Sequence, residues 1–151
     1  MIEKRIESDL KAALLGGDKK KTEILRVLKS ALLYEAVALN KKDEGLDDEQ
    51  IQKVLARESK KRAEAADLYK NAGEQERAEA ELAEKAVIDS YLPAQLSEAE
   101  VKAIVDEELA KIDNPTPADM GKVIGAVRAK TGAQAEGSTI ARLVKSSLES
   151  R

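Results

Sequence analysis

All three prolines of the chain, Pro93, Pro115 and Pro117, lie beyond residue 92. Nothing in the long stretch before them removes a backbone donor or clashes with a preceding helical turn, so helices can run there unbroken. Ala, Leu, Glu, Lys and Arg dominate, and β-branched residues never form the alternating run that a half-buried strand requires. The fold class is therefore all-α. Apolar spacing places helices at roughly 2–15, 19–41, 48–72, 74–91, 98–111, 117–130 and 138–149.

The punctuation between these stretches agrees with them. Gly16-Gly17 stops the first helix and Asp18 can cap the second, Gly45 separates the second from the third, and Asp47 to Gln50 has the form of a capping box. Asn71-Ala72-Gly73 predicts a tight turn between two antiparallel helices. Ile51, Val54, Leu55, Ala65, Leu68 and Tyr69 would face Leu82, Val87, Ile88 and Tyr91 across that hairpin. After Tyr91-Leu92-Pro93, a Ser97-x-x-Glu100 capping box opens a new amphipathic stretch, which sets the expected boundary: an N-terminal helical domain over 1–93 and a three-helix bundle over 94–151. Within the bundle, Thr116-Pro117-Ala118-Asp119 starts a helix with proline at its first position, and Val101, Ile104, Val105, Leu109, Met120, Val123, Ile124, Val127, Ile140, Leu143, Val144 and Leu148 supply the core.

Much chemistry is excluded by what is missing. Cysteine and histidine are both absent, which removes thiol nucleophiles, imidazole bases, Cys/His metal sites and disulfides. Phe and Trp are absent too, and Tyr occurs only at Tyr34, Tyr69 and Tyr91, so the aromatic platforms on which common RNA-binding modules stack bases cannot be built. The acidic group Asp43-Glu44 with Asp47-Asp48-Glu49 lacks the ligand order of a calcium loop, and no metal or other cofactor is expected. Charges nearly cancel, 26 basic against 29 acidic, so no global field draws the chain to DNA or a membrane. The charged segment 1–11 is no secretory signal, and the expected location is cytoplasmic.

Local charge says more. Lys53, Arg57, Lys60 and Lys61 line one face of the third helix, a pattern best explained as a solvated face with ion pairs. Lys19-Lys20-Lys21 is stranger, because cations at a helix N-terminus oppose the macrodipole. In the sixth helix Gly121, Gly125, Arg128 and Gly132 share one side, beside but not within the apolar sector. Each mid-helix glycine costs roughly 1 kcal/mol relative to alanine. Close approach of a second helix or of a nucleic-acid backbone would account for such a stripe. From Asn114 on, Lys122, Arg128, Lys130, Arg142, Lys145 and Arg151 stand against Asp119, Glu136 and Glu149, a net of +3 in a chain whose total is −3.

Four segments together resemble the YqeY family: 25–31 (LRVLKSA), Tyr91-Leu92-Pro93 with Leu96-Ser97-Glu98, 119–125 (DMGKVIG), and the Glu136-Gly137-Ser138 helix start. YqeY proteins are similar to the tail of GatB, the tRNA-binding subunit of the glutamine-dependent amidotransferase. The resemblance implies tRNA as a partner, with an aminoacyl-tRNA-processing enzyme as a further one. It implies a contact surface of Gly121, Lys122, Gly125, Gly137 and Ser138, to which the local charge adds Arg128, Lys130, Arg142 and Lys145. The chain departs from the family pattern at Ile124, where Met is usual, at Glu136, where Asp is usual, and at Ala133-Gln134, where a basic residue is common.

Three functions follow as expectations. The first is a noncatalytic tRNA-binding accessory protein. The second, a carbon–nitrogen ligase using glutamine as amide donor, would extend GatB chemistry to this chain. The similarity concerns GatB's tail and not its catalytic body, and no Walker-type phosphate loop is present. The third is a helical interaction scaffold, with the glycine stripe packed internally and the basic faces neutralised by neighbouring acids.

Overall fold

The computed structural model describes residues 1–150, and Arg151, counted above among the tail's cations, lies outside the described residues. Seven α-helices and two short 3-10 turns form the chain, with no strand among the described residues. None of these helices is long and apolar enough to cross a membrane. The helices fall into two compact units, Met1–Leu92 and Pro93–Arg151.

The N-terminal unit contains α1 (Ile2–Leu15), α2 (Lys19–Ala38), α3 (Asp48–Asn71) and α4 (Gln75–Asp89). Its core is built from Ile2 and Ile6 of α1, Ile24, Leu25, Leu28 and Leu32 of α2, Ile51, Val54 and Leu55 of α3, and Ile88 with Tyr91. Three of its helices end the same way, on a residue with positive φ that lets the next amide reach back one turn. Gly17 (φ 70°) brings the Asp18 N–H to the Ala13 carbonyl at 3.0 Å, and Gly73 (φ 77°) brings Glu74 to Tyr69 at 2.8 Å. The third is a correction. α2 stops at Ala38 rather than continuing to 41, because Asn40 (φ 57°) takes the left-handed position and the Lys41 N–H bonds the Ala36 carbonyl at 2.7 Å. Asparagine tolerates that region through its short polar side chain, so the helix ends before Gly45 is reached.

The α3–α4 hairpin is also less apolar than expected. Leu68 and Leu82 are 71% and 38% exposed, not in the core. At 24 residues α3 is about 36 Å long, against about 21 Å for the 14 residues of α1, and the core takes nothing from α3 beyond Leu55. Farther along, α3 stays paired with α4, with the small Ala66 and Ala78 buried and polar links between the two helices. Ser59 donates to Asp89 at 2.6 Å, and Arg62 is held between Glu58 at 3.3 Å and Glu84 at 3.0 Å. The hairpin's other end is pinned by Tyr91, whose hydroxyl donates to Asp9 while Arg5 lies 5.1 Å over its ring. Burial, then the Asp9 carboxylate, push the Tyr91 phenol above its usual range.

The C-terminal unit contains α5 (Glu98–Leu109), α6 (Met120–Thr131) and α7 (Gly137–Glu149). Its core is Val101, Val105, Leu109, Val123, Val127, Ile140, Leu143, Val144 and Leu148. The Ser97–Glu100 capping box forms in both directions, at 3.1 and 3.3 Å. Pro117 opens a 3-10 turn, Pro117–Asp119, and the α-helix begins only at Met120. The Asp119 carboxylate accepts the Thr116 N–H at 2.9 Å, and this side-chain link stabilises the tighter turn ahead of α6. The segment before α5 is clipped to the turn before α7: Leu96 donates to the Gln134 carbonyl at 2.8 Å, Gln95 to Ala133 at 2.7 Å, and Gln134 to Ala94 at 3.3 Å.

Candidate nucleic-acid interface

The apolar side of α6, Val123 and Val127, enters the bundle core. That rotation turns Gly121 and Gly125 outward. Both are exposed, and a Cβ built on either would meet nothing within 4 Å, so no helix packs against the stripe in this structure. Gly132 belongs to a different argument. It is the C-cap of α6 with φ 53° and ψ −128°, a backbone region that side chains rarely adopt, so the turn itself accounts for it.

α7 returns beside α6 after the short 3-10 turn Gly132–Gln134, and this brings the two parts of the expected surface together. The Arg128 guanidinium carbon lies 3.9 Å from where a Cβ on Gly137 would stand, so Arg128 sits against the first turn of α7 next to the exposed Ser138. Glu136 is the N-cap residue of α7. Lys122, Arg128 and Lys145 are exposed, and among the described residues no carboxylate lies within ion-pair range of them.

The remaining two expected cations are engaged. Lys130 Nζ lies 2.8 Å from Glu108 and 3.4 Å from Glu107, and Arg142 is paired with Glu98. Glu108 is only 8% exposed and also receives Lys111 at 3.1 Å. The hydrogen bond from Lys130, then that from Lys111, hold its carboxyl below the usual range, and the same Lys130 bond raises the lysine. All three acids come from α5. The +3 counted from Asn114 onward is therefore not the charge of a folded body: the unit from Pro93 holds eight basic and nine acidic residues. What survives is local: Lys122 and Arg128 unpaired on the glycine-bearing helix, and Lys145 unpaired on α7.

Other sequence candidates settle into structural places. Lys53 pairs with Glu49 at 3.8 Å, Arg57 with Glu35 at 2.9 Å and Lys61 with Glu58 at 3.3 Å, as a solvated face would. Among the acidic residues, Asp47 caps α3 and Asp48 accepts the Ile2 N–H at 3.2 Å, and no metal-ligating group gathers among the described residues. Gln134 turns its amide onto the Ala94 carbonyl at 3.3 Å. Sequence reasoning did not anticipate the Glu108–Lys130 pair. Its signal, an acid on the apolar side of α5 one residue before Leu109, is visible only once α5 and α6 are set side by side.

The family model described as Yqey-like protein matches residues 3–148, nearly all of the seven helices. No curated protein matches the chain.

Proposed function

Because the chain belongs to the YqeY-like family, we propose that it is a noncatalytic, cytoplasmic tRNA-binding accessory protein whose α6 face receives the phosphate backbone. The observation that carries this reading is the pair of open glycines, Gly121 and Gly125, with Lys122 and Arg128 exposed and unpaired on the same helix and Lys145 exposed and unpaired on α7. Gly125, in the interior of α6, destabilises the helix by about 1 kcal/mol relative to alanine, Gly121 stands bare in its first turn, and no packing within the unit offsets either. Backbone approach explains the bare surface, and the cations supply the attraction. With no Phe or Trp available, recognition rests on shape and phosphate rather than base stacking. The resemblance of YqeY proteins to the GatB tail favours tRNA as the nucleic acid, and an aminoacyl-tRNA-processing enzyme as the further partner that would supply chemistry.

Titration of fluorescent tRNA at several salt concentrations tests this. Binding should be weak, largely sequence-independent and steeply salt-dependent. Lys122→Ala with Arg128→Ala should weaken it and flatten the log–log salt slope by about two. Lys53→Ala with Arg57→Ala should do much less. An unchanged slope in the first pair would remove the α6 face from consideration, and amide formation by the isolated protein from ATP, glutamine and aminoacylated tRNA would overturn the noncatalytic reading.

A further inference from the structure

Lys19, Lys20 and Lys21 fill the first turn of α2, where three cations oppose the helix dipole and weaken the helix. No neighbouring acid relieves them. Asp18, the N-cap, turns its carboxylate to the Lys21 N–H at 3.1 Å, and Glu23 lies out of ion-pair range of all three lysines. Lys11, one turn before the end of α1, and Arg26, two turns into α2, are exposed and equally without a carboxylate partner among the described residues. At 100° per residue Arg26 falls about 20° from Lys19, on the side away from the buried Leu25 and Leu28. Residues 11–26 thus hold five basic and two acidic side chains, inside a unit that holds eighteen and twenty.

The same unit pairs its cations elsewhere. Lys53, Arg57, Lys61, Arg62 and Lys85 of α3 and α4 each have a carboxylate at 3.8 Å or less. In those helices acids stand three or four residues from the cations, Glu49 before Lys53 and Glu58 before Lys61 and Arg62, whereas the first turns of α2 offer Glu23 alone. Lys41 and Lys42, beyond the far end of α2, are followed at once by Asp43 and Glu44, and Lys29 shares a cleft with Glu3, so these cations stand outside the patch. Positive charge that weakens its own helix and meets no internal acid suits an anion arriving from outside. We propose that Lys11, Lys19, Lys20, Lys21 and Arg26 form a second phosphate-binding face, on the N-terminal unit, for the backbone of RNA; this rests on the tRNA reading above. Flexible lysines act there as point charges that hold a phosphate chain without reading its sequence. An anionic membrane is the rival partner, since Leu14 and Leu15 are 50% and 91% exposed at the same turn. Two leucines do not make the long apolar face by which a basic helix enters a bilayer.

The test titrates fluorescent tRNA into the full chain over a range of salt. Lys19→Ala, Lys20→Ala and Lys21→Ala together should weaken binding at least tenfold and flatten the log–log salt slope by about two to three. Alanine is the better helix former and removes the conflict with the dipole, so circular dichroism should stay helical and the loss is one of contact. Lys53→Ala, Arg57→Ala and Lys61→Ala change the net charge equally and should do much less. An unchanged slope in the first triple, or an equal loss in the second, would overturn the proposal. If the slope flattens in the lysine triple but not in Lys122→Ala with Arg128→Ala, this face stands and the α6 reading fails; the reverse pattern sinks this face and leaves α6 in place. A native chain that does not bind tRNA removes both. Binding to phosphatidylserine vesicles that the lysine triple abolishes, with tRNA binding intact, would assign the patch to a membrane and overturn the RNA face.

Discussion

The two units solve the same packing problem and leave different surfaces behind. The N-terminal unit buries large aliphatic side chains from four helices, one of which runs on past the core as half of an α3–α4 hairpin held by alanines and ion pairs. The C-terminal unit buries a valine-rich core between three short helices and clips its own entry segment onto the turn before α7. What remains outside differs accordingly. On α2 it is a row of exposed apolar side chains, Val27, Leu33, Tyr34 and Val37. On α6 it is bare backbone beside unpaired cations, suited to an anion. A charge census of the whole chain cannot see either, because each surface is set by which residues the fold leaves unpaired.

The largest test of this contrast is whether the cores are independent. Leu55→Ala removes a fully buried side chain of the N-terminal core and should destabilise that unit by about 3 kcal/mol. In a urea titration its transition should move while that of the C-terminal unit stays in place. Leu68→Ala, the same change on the same helix but at a position 71% exposed, should cost less than about 0.5 kcal/mol. One merged transition shifting as a whole would show that the units are coupled. The peptide 94–151, expressed alone, should then fail to give a helical spectrum instead of folding as expected.

Next in size is an effect with opposite signs in two measurements. Gly125→Leu places a side chain where nothing stands within 4 Å, so it should stabilise α6 by about 1 kcal/mol through helix propensity alone. The same side chain should block backbone approach and weaken tRNA binding without changing any charge. A variant both more stable and equally good at binding would mean that the glycine serves neither purpose.

The helices were legible because their signals are local. Capping boxes at Asp47 and Ser97, and the glycine end of α1, are read within five residues of sequence, and they formed as expected. The errors lie where a distant element decides. Leu68 and Leu82 have helical spacing suited to a core, but spacing cannot say that the core ends at Leu55. The end of α2 was misplaced because glycine is the stronger signal for a left-handed residue, and Asn40 took that role first. On the candidate surface, the outward turn of Gly121 and Gly125 follows from the period of Val123 and Val127, which the sequence displays. That Lys130 and Arg142 answer to acids of α5 does not follow, since the partners are 22 or more residues away.

The smallest expected effect probes that last pairing. The Glu108 carboxyl is held below its usual range by Lys130 first and Lys111 second. The unfolded chain therefore takes up the proton at a higher pH than the folded one. The stabilisation from this group is fully present above the unfolded value, about pH 4.3, and is lost as pH falls through the lower folded value. Glu108→Gln should make the C-terminal unit slightly less stable at neutral pH, and the difference from the native chain should shrink in acid. It should also release Lys130 from its nearer acid, leaving only Glu107 at 3.4 Å. A freed lysine on α6 would join Lys122 and Arg128, so tRNA binding should strengthen modestly and its salt slope steepen. If the acid limb flattens but the salt slope does not change, Lys130 stands outside the C-terminal unit's contact surface, and the three cations left unpaired there in the native fold are the whole of it.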